Sequence, residues 1–230
     1  MNGQNSSSSS NGAHLKPVES LKISLELFEK LYLSPENNVH GDLRKTFGNP
    51  TPLSFFGGLL LVVSGLLEFF LGNTFPSVVF VSYGAHFLTF AATFQPFSNA
   101  IAAYSPDGTQ TQTPEFASSF AFYALFMGLL SFIYLICSLR TNLIFVFVFT
   151  GASLGFVLAA ASFWTTALGM IVGATLLKGA GGAFFVAAVM GWYLLAAIMF
   201  ATLDLPWGLN SLPVVDLSTM IKGASQKRKD

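Results

Sequence analysis

A few polar side chains stand out because they lie inside or beside long apolar stretches of this chain. Asn49 and Pro50 precede one apolar segment, Glu68 lies near its end, and Tyr83 and His86 lie in the next. A carboxylate, a phenol or an imidazole in apolar surroundings can hydrogen bond a small polar molecule or exchange a proton with it. What these groups do depends on the elements that position them.

Asn49-Pro50 has the form of a helix start, because Asn caps helices well and Pro is favoured at the first helical position. The exposed N–H groups and positive end of a helix also attract carboxylates. Two interpretations therefore remain open for this motif. One is a plain helix cap, and the other is a helix end that lies on a substrate path.

Glu68 and His86 have structural alternatives as well. Glu68 lies close enough to the end of its span to reach the interface, so proton coupling and a structural contact are both open, with the structural contact favoured. His86 follows Tyr83 by three residues and lies on roughly the same helical face. A histidine there titrates near physiological pH, yet we expect a packing histidine.

The composition indicates an integral membrane protein. The chain has 230 residues, of which 53% are hydrophobic and 10% charged, with a mean hydropathy of +0.62, whereas soluble domains carry about 25% charged residues. Most charges lie in the two tails. Between Thr46 and Ile221 the charged side chains are Glu68, Asp107, Glu115, Arg140, Lys178, Asp204 and Asp216.

Several function classes find no support in the sequence. The formal net charge of +0 gives no basic surface for nucleic acid, and the single Cys137 provides neither a disulfide framework nor a thiolate metal site. We find no metal-ligand cluster, no nucleophile with an adjacent base and no phosphate-binding glycine loop. The sequence therefore predicts a protein that is not an enzyme and that needs no cofactor.

Five apolar windows predict an all-α fold, a polytopic membrane helix bundle with five evident spans. Each window is near the ~20 residues that cross a ~30 Å hydrocarbon core as a helix. The windows are 53–72, 75–95, 116–139, 141–164 and 182–203. The short connections at 73–74 and 140–142 predict antiparallel neighbours. Residues 165–181 are apolar only over a short stretch, which favours a loop or a re-entrant piece.

Three regions follow from these windows. Residues 1–48 are interpreted as a cytosolic tail, disordered at first and then amphipathic. Residues 49–206 form the membrane-embedded part, and residues 207–230 a basic C-terminal tail. The positive-inside rule places Arg140 and this tail in the cytoplasm, but five spans then place the basic N-terminal tail outside. Either the 165–181 region crosses the membrane, or a span is missing.

An ordered set of motifs carries a family resemblance. The motifs are Asn49-Pro-Thr-Pro-Leu53, Gly57-Gly58, Gly65-Leu-Leu-Glu68, Gly72-Asn-Thr-Phe75, Ser82-Tyr-Gly84 and Gly191-Trp-Tyr193. Together they resemble the acetate uptake transporter family, which includes bacterial succinate–acetate permeases and fungal acetate transporters. The resemblance implies a transporter for acetate or other small monocarboxylates that moves the anion with a proton. It also implies a membrane-embedded homo-oligomer, a hexamer with one pore per subunit, in the plasma membrane or an internal fungal membrane.

The resemblance also assigns site residues. It places Asn49 and Pro50 near the substrate path, includes Glu68 in the motif, and places Tyr83 at a narrow apolar constriction of the pore. A leucine of the same constriction aligns near Ala152, and Leu154 is the closest leucine here. For Tyr83 the alternative is a plain core tyrosine.

The family pattern has six spans, and most of its first span is missing here. Leu53 is followed almost at once by Phe55-Phe-Gly-Gly58, so the constriction phenylalanine of that span has no counterpart. A restored span would place both basic tails in the cytoplasm. Two alternatives to acetate transport stay open: ammonium export, to which some fungal relatives are linked, and a truncated, non-transporting regulatory membrane protein.

Overall fold

The chain folds into five helices long and apolar enough to cross a membrane, within residues 53–203, 212–218 and 220–221, which the computed structural model describes. The helices are α1 (Leu53–Phe70), α2 (Thr74–Thr93), α3 (Pro114–Ser138), α4 (Leu143–Ala167) and α5 (Val172–Thr202). No β-strand occurs among these residues. The predicted all-α bundle with five spans is confirmed. The proposed cytosolic tail 1–48 lies outside the described residues, as does most of the tail 207–230.

Helix α1 has an unusual beginning and a regular end. Its first seven residues, Leu53–Leu59, form a π-helical turn, and Leu60–Phe70 continue as an α-helix. At its end Gly72 takes a left-handed conformation with φ 81°. The Asn73 N–H then bonds the Glu68 carbonyl at 2.9 Å and the Gly72 N–H bonds the Phe69 carbonyl at 3.0 Å. This paired arrangement ends a helix and reverses the chain, so α2 starts immediately beside α1.

The region 165–181 is not the separate loop or re-entrant piece that its short apolar stretch predicted. Gly169, with φ 71°, ends α4 by the same paired arrangement, and α5 begins three residues later. Residues 172–181 are the first turns of α5, which is 31 residues long. Its glycines at 179, 181 and 182 lie within the continuous helix, since membrane helices tolerate glycine well.

The loop between α2 and α3 is polar and built from turns. Two 3-10 turns, Pro96–Ser98 and Ala102–Tyr104, precede the predicted Ser-Pro-Asp-Gly turn. The Asp107 carboxylate accepts hydrogen bonds from the Ser105 hydroxyl and from the Thr109 N–H (3.2 Å) and hydroxyl (2.9 Å). These bonds hold the pKa of Asp107 below its usual value, and the bond from the Ser105 hydroxyl has the largest effect.

Glycines set how closely the helices pack. A methyl group at Gly65 or Gly84 would meet α2 or α1 within 3 Å, and one at Gly151 or Gly155 would meet α5 within 3 Å. The Gly151-x-x-x-Gly155 pair therefore lies at a close helix contact, as small residues do in membranes. The backbones of α1 and α2 approach closely, as do those of α3 and α4 and of α4 and α5.

Contact between the α1–α2 pair and the remaining helices is made by large side chains instead. Phe75 of α2 packs edge-on against Tyr134 of α3 and Phe149 of α4, with ring centroids 6.1 Å apart in both pairs. Farther along α2, Phe90 and Phe94 pack on Phe120 of α3. Helix α2 therefore runs antiparallel to α3, with aromatic rings between the two backbones.

The C-terminal segment returns to the α3–α4 turn. The Leu143 N–H bonds the Val215 carbonyl and the Leu217 N–H bonds the Thr141 carbonyl, both at 2.9 Å. Arg140 Nε also donates to the Ile221 carbonyl at 3.2 Å. The segment after α5 therefore lies on the same side of the bundle as the turn that carries Arg140, as the sequence predicted.

The alternation of five spans leaves the N-terminal end of α1 on the side opposite this C-terminal segment. Since residues 172–181 belong to α5, they provide no additional crossing. One of the two explanations for the conflict with the positive-inside rule is thereby removed. The remaining explanation, a missing span, stays a prediction.

Candidate functional site

A cavity of about 730 Å³ lies between the helices and takes lining residues from all five. Its size is within the ~300–1,000 Å³ typical of small-molecule sites. Most of the lining is aliphatic or aromatic, with alanines on α4 and α5. The lining side chains that carry a nitrogen or oxygen are Tyr83, His86 and Tyr123. The cavity can therefore enclose a small, partly apolar molecule while offering it few hydrogen bonds.

Tyr83 lies among aromatic rings on one wall of this cavity. Its ring centroid is 6.2 Å from that of Tyr134, 6.4 Å from that of Phe149 and 6.5 Å from that of Phe156. Such spacing is that of packed aromatic pairs. The predicted pore position of Tyr83 stays a prediction, but the residue does line the cavity.

The Tyr83 hydroxyl is already hydrogen bonded. It lies 2.7 Å from Ser131 Oγ, and the Ser131 hydroxyl donates to the Met127 carbonyl, also at 2.7 Å. Because Ser131 has one proton and gives it to Met127, Tyr83 is the donor in the bond between the two hydroxyls. A second bond of the same kind runs from Tyr134 to Ser82, whose own hydroxyl donates to the Val79 carbonyl.

His86 is packed as the sequence led us to expect. Its side chain is 8% exposed. Its ring lies parallel to the ring of Tyr123 at 5.7 Å and edge-on to Phe156 at 4.9 Å. His86 Nδ1 is 2.8 Å from the Tyr123 hydroxyl, which ties α2 to α3.

Glu68 lies away from the cavity, at the turn between α1 and α2. Its carboxylate oxygen Oε2 accepts a hydrogen bond of 2.7 Å from the Asn73 side-chain amide, and its carbonyl accepts the Asn73 N–H. Glu68 is half-buried and does not line the cavity. This contact is the structural alternative described above, and it explains why Glu68 and Asn73 occur five residues apart.

The structure does not bring Leu154 to Tyr83. Leu154 is 55% exposed, on the outer surface of α4, whereas Ala152, the aligned position, lines the cavity with Tyr83. Of the three predicted substrate-path residues that the structure describes, Glu68, Tyr83 and Leu154, Tyr83 alone lines it. Asn49 and Pro50 lie outside the described residues.

Sequence reasoning missed the aromatic residues that α4 contributes. Phe149 and Phe156 flank Tyr83 and line the cavity with Ala152. Their spacing of seven, with Ala152 three residues after the first, is the spacing of one helical face. In a uniformly apolar helix this signal is invisible, because every other face is apolar too.

No metal centre is apparent in the described part of the chain, where no three His, Cys, Asp or Glu side chains come together. The nearest approach to a chemical cluster is the His86–Tyr123 pair described above. The arrangement fits the enclosure and hydrogen bonding of a small molecule.

Comparison with known proteins agrees with the motifs. Residues 50–214 match the GPR1/FUN34/yaaH family. Protein alcS of Aspergillus fumigatus is 38% identical over 237 aligned positions, which cover 86% of each chain. Acetate permease A of Emericella nidulans is 30% identical over 45% of this chain and 34% of its own length. Ammonia transport outward protein 2 of Saccharomyces cerevisiae is 27% identical over 60% of this chain and 45% of its own.

Relatives named for transport and five apolar helices together confirm the prediction of a multi-pass membrane transporter. These findings show the class of protein, a membrane transporter, but do not identify its substrate. The family match covers more than half of the chain and the alcS match most of it. The chain therefore belongs to the GPR1/FUN34/yaaH family.

Proposed function

We propose that this membrane transporter carries acetate or another small monocarboxylate, together with a proton. The observation that supports the proposal is the central cavity, which is lined by apolar side chains and by the three polar ones Tyr83, His86 and Tyr123. Acetate combines a methyl group with a carboxyl group, so it suits an apolar space with few hydrogen-bonding partners. A relative named Acetate permease A adds support.

A proton makes this passage easier to explain. An isolated carboxylate is expensive to move into apolar surroundings, whereas a carboxylic acid is neutral. No Lys, Arg, Asp or Glu is among the described residues that line the cavity. Movement of the anion with a proton therefore suits this lining better than movement of the anion alone.

The test is uptake of labelled acetate into proteoliposomes that contain only this chain, with an inward proton gradient. Neutral acetic acid leaks through lipid, so only the excess over empty liposomes counts. We expect a clear excess that collapses when the gradient is removed by an ionophore. Uptake equal to that of empty liposomes contradicts the proposal.

Ammonium export is the second candidate, and a relative named Ammonia transport outward protein 2 is the reason to keep it. Neutral ammonia, like acetic acid, needs few polar contacts. Efflux of labelled methylammonium from the same proteoliposomes distinguishes the two. A chain that releases methylammonium and does not take up acetate is an exporter of this second kind.

A truncated, non-transporting regulatory protein is the third candidate. The alcS alignment extends over 237 positions but covers 86% of this 230-residue chain, about 198 residues, which leaves about 39 positions without a counterpart here. That length is enough for one span of ~20 residues and a loop. Such a protein would fail to transport alone but would change acetate uptake by a complete relative when the two are co-reconstituted.

The proposal also includes the oligomeric state of the chain, the membrane in which it lies and the side on which its tails emerge. Helices α1 and α5 bury only 11% and 6% of their most apolar windows, which leaves faces for lipid or for other copies in a homo-oligomer, a hexamer by resemblance. We place the chain in the plasma membrane, with an internal fungal membrane as the alternative. Both tails, 1–48 and 207–230, would be cytosolic, and neither catalysis nor a cofactor is part of the proposal.

A further inference from the structure

The hydroxyl groups that line the cavity already have partners. The Tyr83 hydroxyl gives its proton to Ser131, as described above. The Tyr123 hydroxyl donates to the His86 carbonyl oxygen at 3.4 Å and lies 2.8 Å from His86 Nδ1. Because the hydroxyl has one proton and gives it to the carbonyl, it accepts a hydrogen bond from Nδ1–H.

These bonds indicate which ring nitrogen of His86 carries the proton. A neutral imidazole has one N–H and one bare nitrogen. Since Nδ1–H donates to Tyr123, Nε2 is the bare nitrogen, and it can accept a hydrogen bond.

The position of Nε2 agrees with this role. Although the His86 side chain is 92% buried, Nε2 has no hydrogen-bond partner in the described part of the protein. No buried side-chain nitrogen or oxygen there lacks a partner, so Nε2 retains accessible surface. His86 is one of the residues that line the cavity, so a molecule bound there lies beside this ring.

Neighbouring rings hold the imidazole in place. Tyr123 stacks on it, and Phe156 and Phe87 pack against it with centroids 4.9 and 5.3 Å away. An acceptor fixed in this way loses little conformational freedom when it binds a ligand. The arrangement is therefore preorganised for one hydrogen bond into the cavity.

We propose that His86 Nε2 accepts a hydrogen bond from the protonated carboxyl group of the transported acid, with Tyr123 as the positioning residue that keeps the ring proton on Nδ1. This rests on the proposed function and extends it to a residue that the family resemblance did not indicate. The acid that moves with its proton has an O–H to donate, and an imidazole nitrogen is a good acceptor for it. His86 thus distinguishes carboxylic acids from apolar molecules of the same size.

The test compares His86→Gln with His86→Asn. The Gln amide reaches the position of Nε2, while the Asn amide reaches only that of Nδ1. We expect Asn to raise the KM for acetate uptake tenfold or more, and Gln to stay within about threefold of the wild type. Ser153→Ala is the matched control, because it removes an interhelical hydrogen bond to the Gly128 carbonyl away from the cavity.

A second measurement avoids variants of His86 itself. With His14 and His40 replaced by Gln, His86 is the one histidine of the chain, and its ¹⁵N signals report each ring nitrogen. Saturating acetate should shift the Nε2 signal more than the Nδ1 signal. An unmoved Nε2 signal in protein that transports acetate overturns this inference alone, as does an Asn variant with unchanged KM. A wild type without uptake overturns the proposed function and this inference together.

Discussion

The close approach of α1 and α2 predicts that Gly84 cannot be replaced by even one methyl group without loss of stability. A Cβ atom at Gly84 would lie 2.7 Å from Val62 Cγ2, 2.9 Å from the Val62 backbone nitrogen and 3.0 Å from the Gly58 carbonyl oxygen. A valine side chain can rotate, but two of these atoms are backbone. The helices must therefore move apart.

The size of the effect follows from these contacts. Overpacking of this kind destabilises a protein by about 1–3 kcal/mol. For a chain of this length each kcal/mol lowers the unfolding midpoint by roughly 2–4 °C. We therefore expect Gly84→Ala to lower the midpoint by about 2–12 °C. Gly65→Ala meets Val81 and Ser77 in the same way, and the double variant should lose less than the two single losses together, because one separation relieves both contacts.

The matched control is Gly181→Ala on α5, where an added Cβ meets nothing within 4 Å. Alanine there should be neutral or stabilising by up to about 1 kcal/mol, since glycine is the poorer helix former. The measurement is the fraction of purified protein that stays monodisperse by size-exclusion chromatography after heating in detergent. Equal midpoints for Gly84→Ala and Gly181→Ala would refute the close contact between α1 and α2.

Three further predictions concern single polar groups. Tyr83→Phe should change the free energy of unfolding by about 1 kcal/mol or less, because Ser131 keeps its bond to Met127; acetate uptake then reports whether the hydroxyl contacts the substrate, and we expect a nearly unchanged KM, because this hydroxyl already gives its proton to Ser131. Glu68→Gln should keep proton-stimulated uptake, because the Gln side-chain oxygen still accepts from Asn73; loss of the stimulation with normal folding would favour proton coupling at Glu68. The pKa of Asp107 is lowered when folded, so its turn is stabilised above the unfolded pKa and loses that stabilisation as pH falls through the folded value; the protection of the Thr109 amide against hydrogen exchange should fall below about pH 4, and in Asp107→Ala, which has no oxygen to accept the Thr109 N–H, it should be low at every pH.

The spans were predictable from the sequence because length and hydropathy alone decide which segments cross a membrane. The turn at Gly72 was also predictable from the sequence, because a left-handed residue that ends a helix is usually glycine. The start of α5 was not. The apolar stretch before residue 182 is too short for a span of its own, and hydropathy does not show that it continues into the helix that follows.

The cavity could not be derived from the sequence, because it depends on how each helix is rotated. Leu154 and Ala152 illustrate the difficulty. Two residues along an α-helix differ by about 200° around its axis, so a leucine chosen two positions away from the aligned alanine points to the opposite side. In a soluble helix the polar residues mark the outer face, so the inner face can be identified from the sequence. Helix α4 is apolar all round and gives no such signal.

Two observations concern the start of α1, and a third concerns the length of the chain. The sequence places a junction at Leu53–Phe55, where most of a span of the family pattern is missing. The structure has a seven-residue π-helical turn at this place, Leu53–Leu59, and long π-helical stretches are rare. The alcS alignment leaves about 39 positions without a counterpart in this chain, since its 237 positions include about 198 of the 230 residues here.

These observations favour the hypothesis that one span and its loop have been lost, in the transcript or in the gene. A restored span reverses the side on which the N-terminal tail emerges, so that the basic residues at both ends of the chain share one side of the membrane. The location of the tail therefore decides the question. A tail that proteases reach from outside shows a bundle of five spans, and its function must then be judged without the missing helix. A transcript with an additional segment between Leu53 and Phe55 shows that the six-span form is the one to test for acetate uptake.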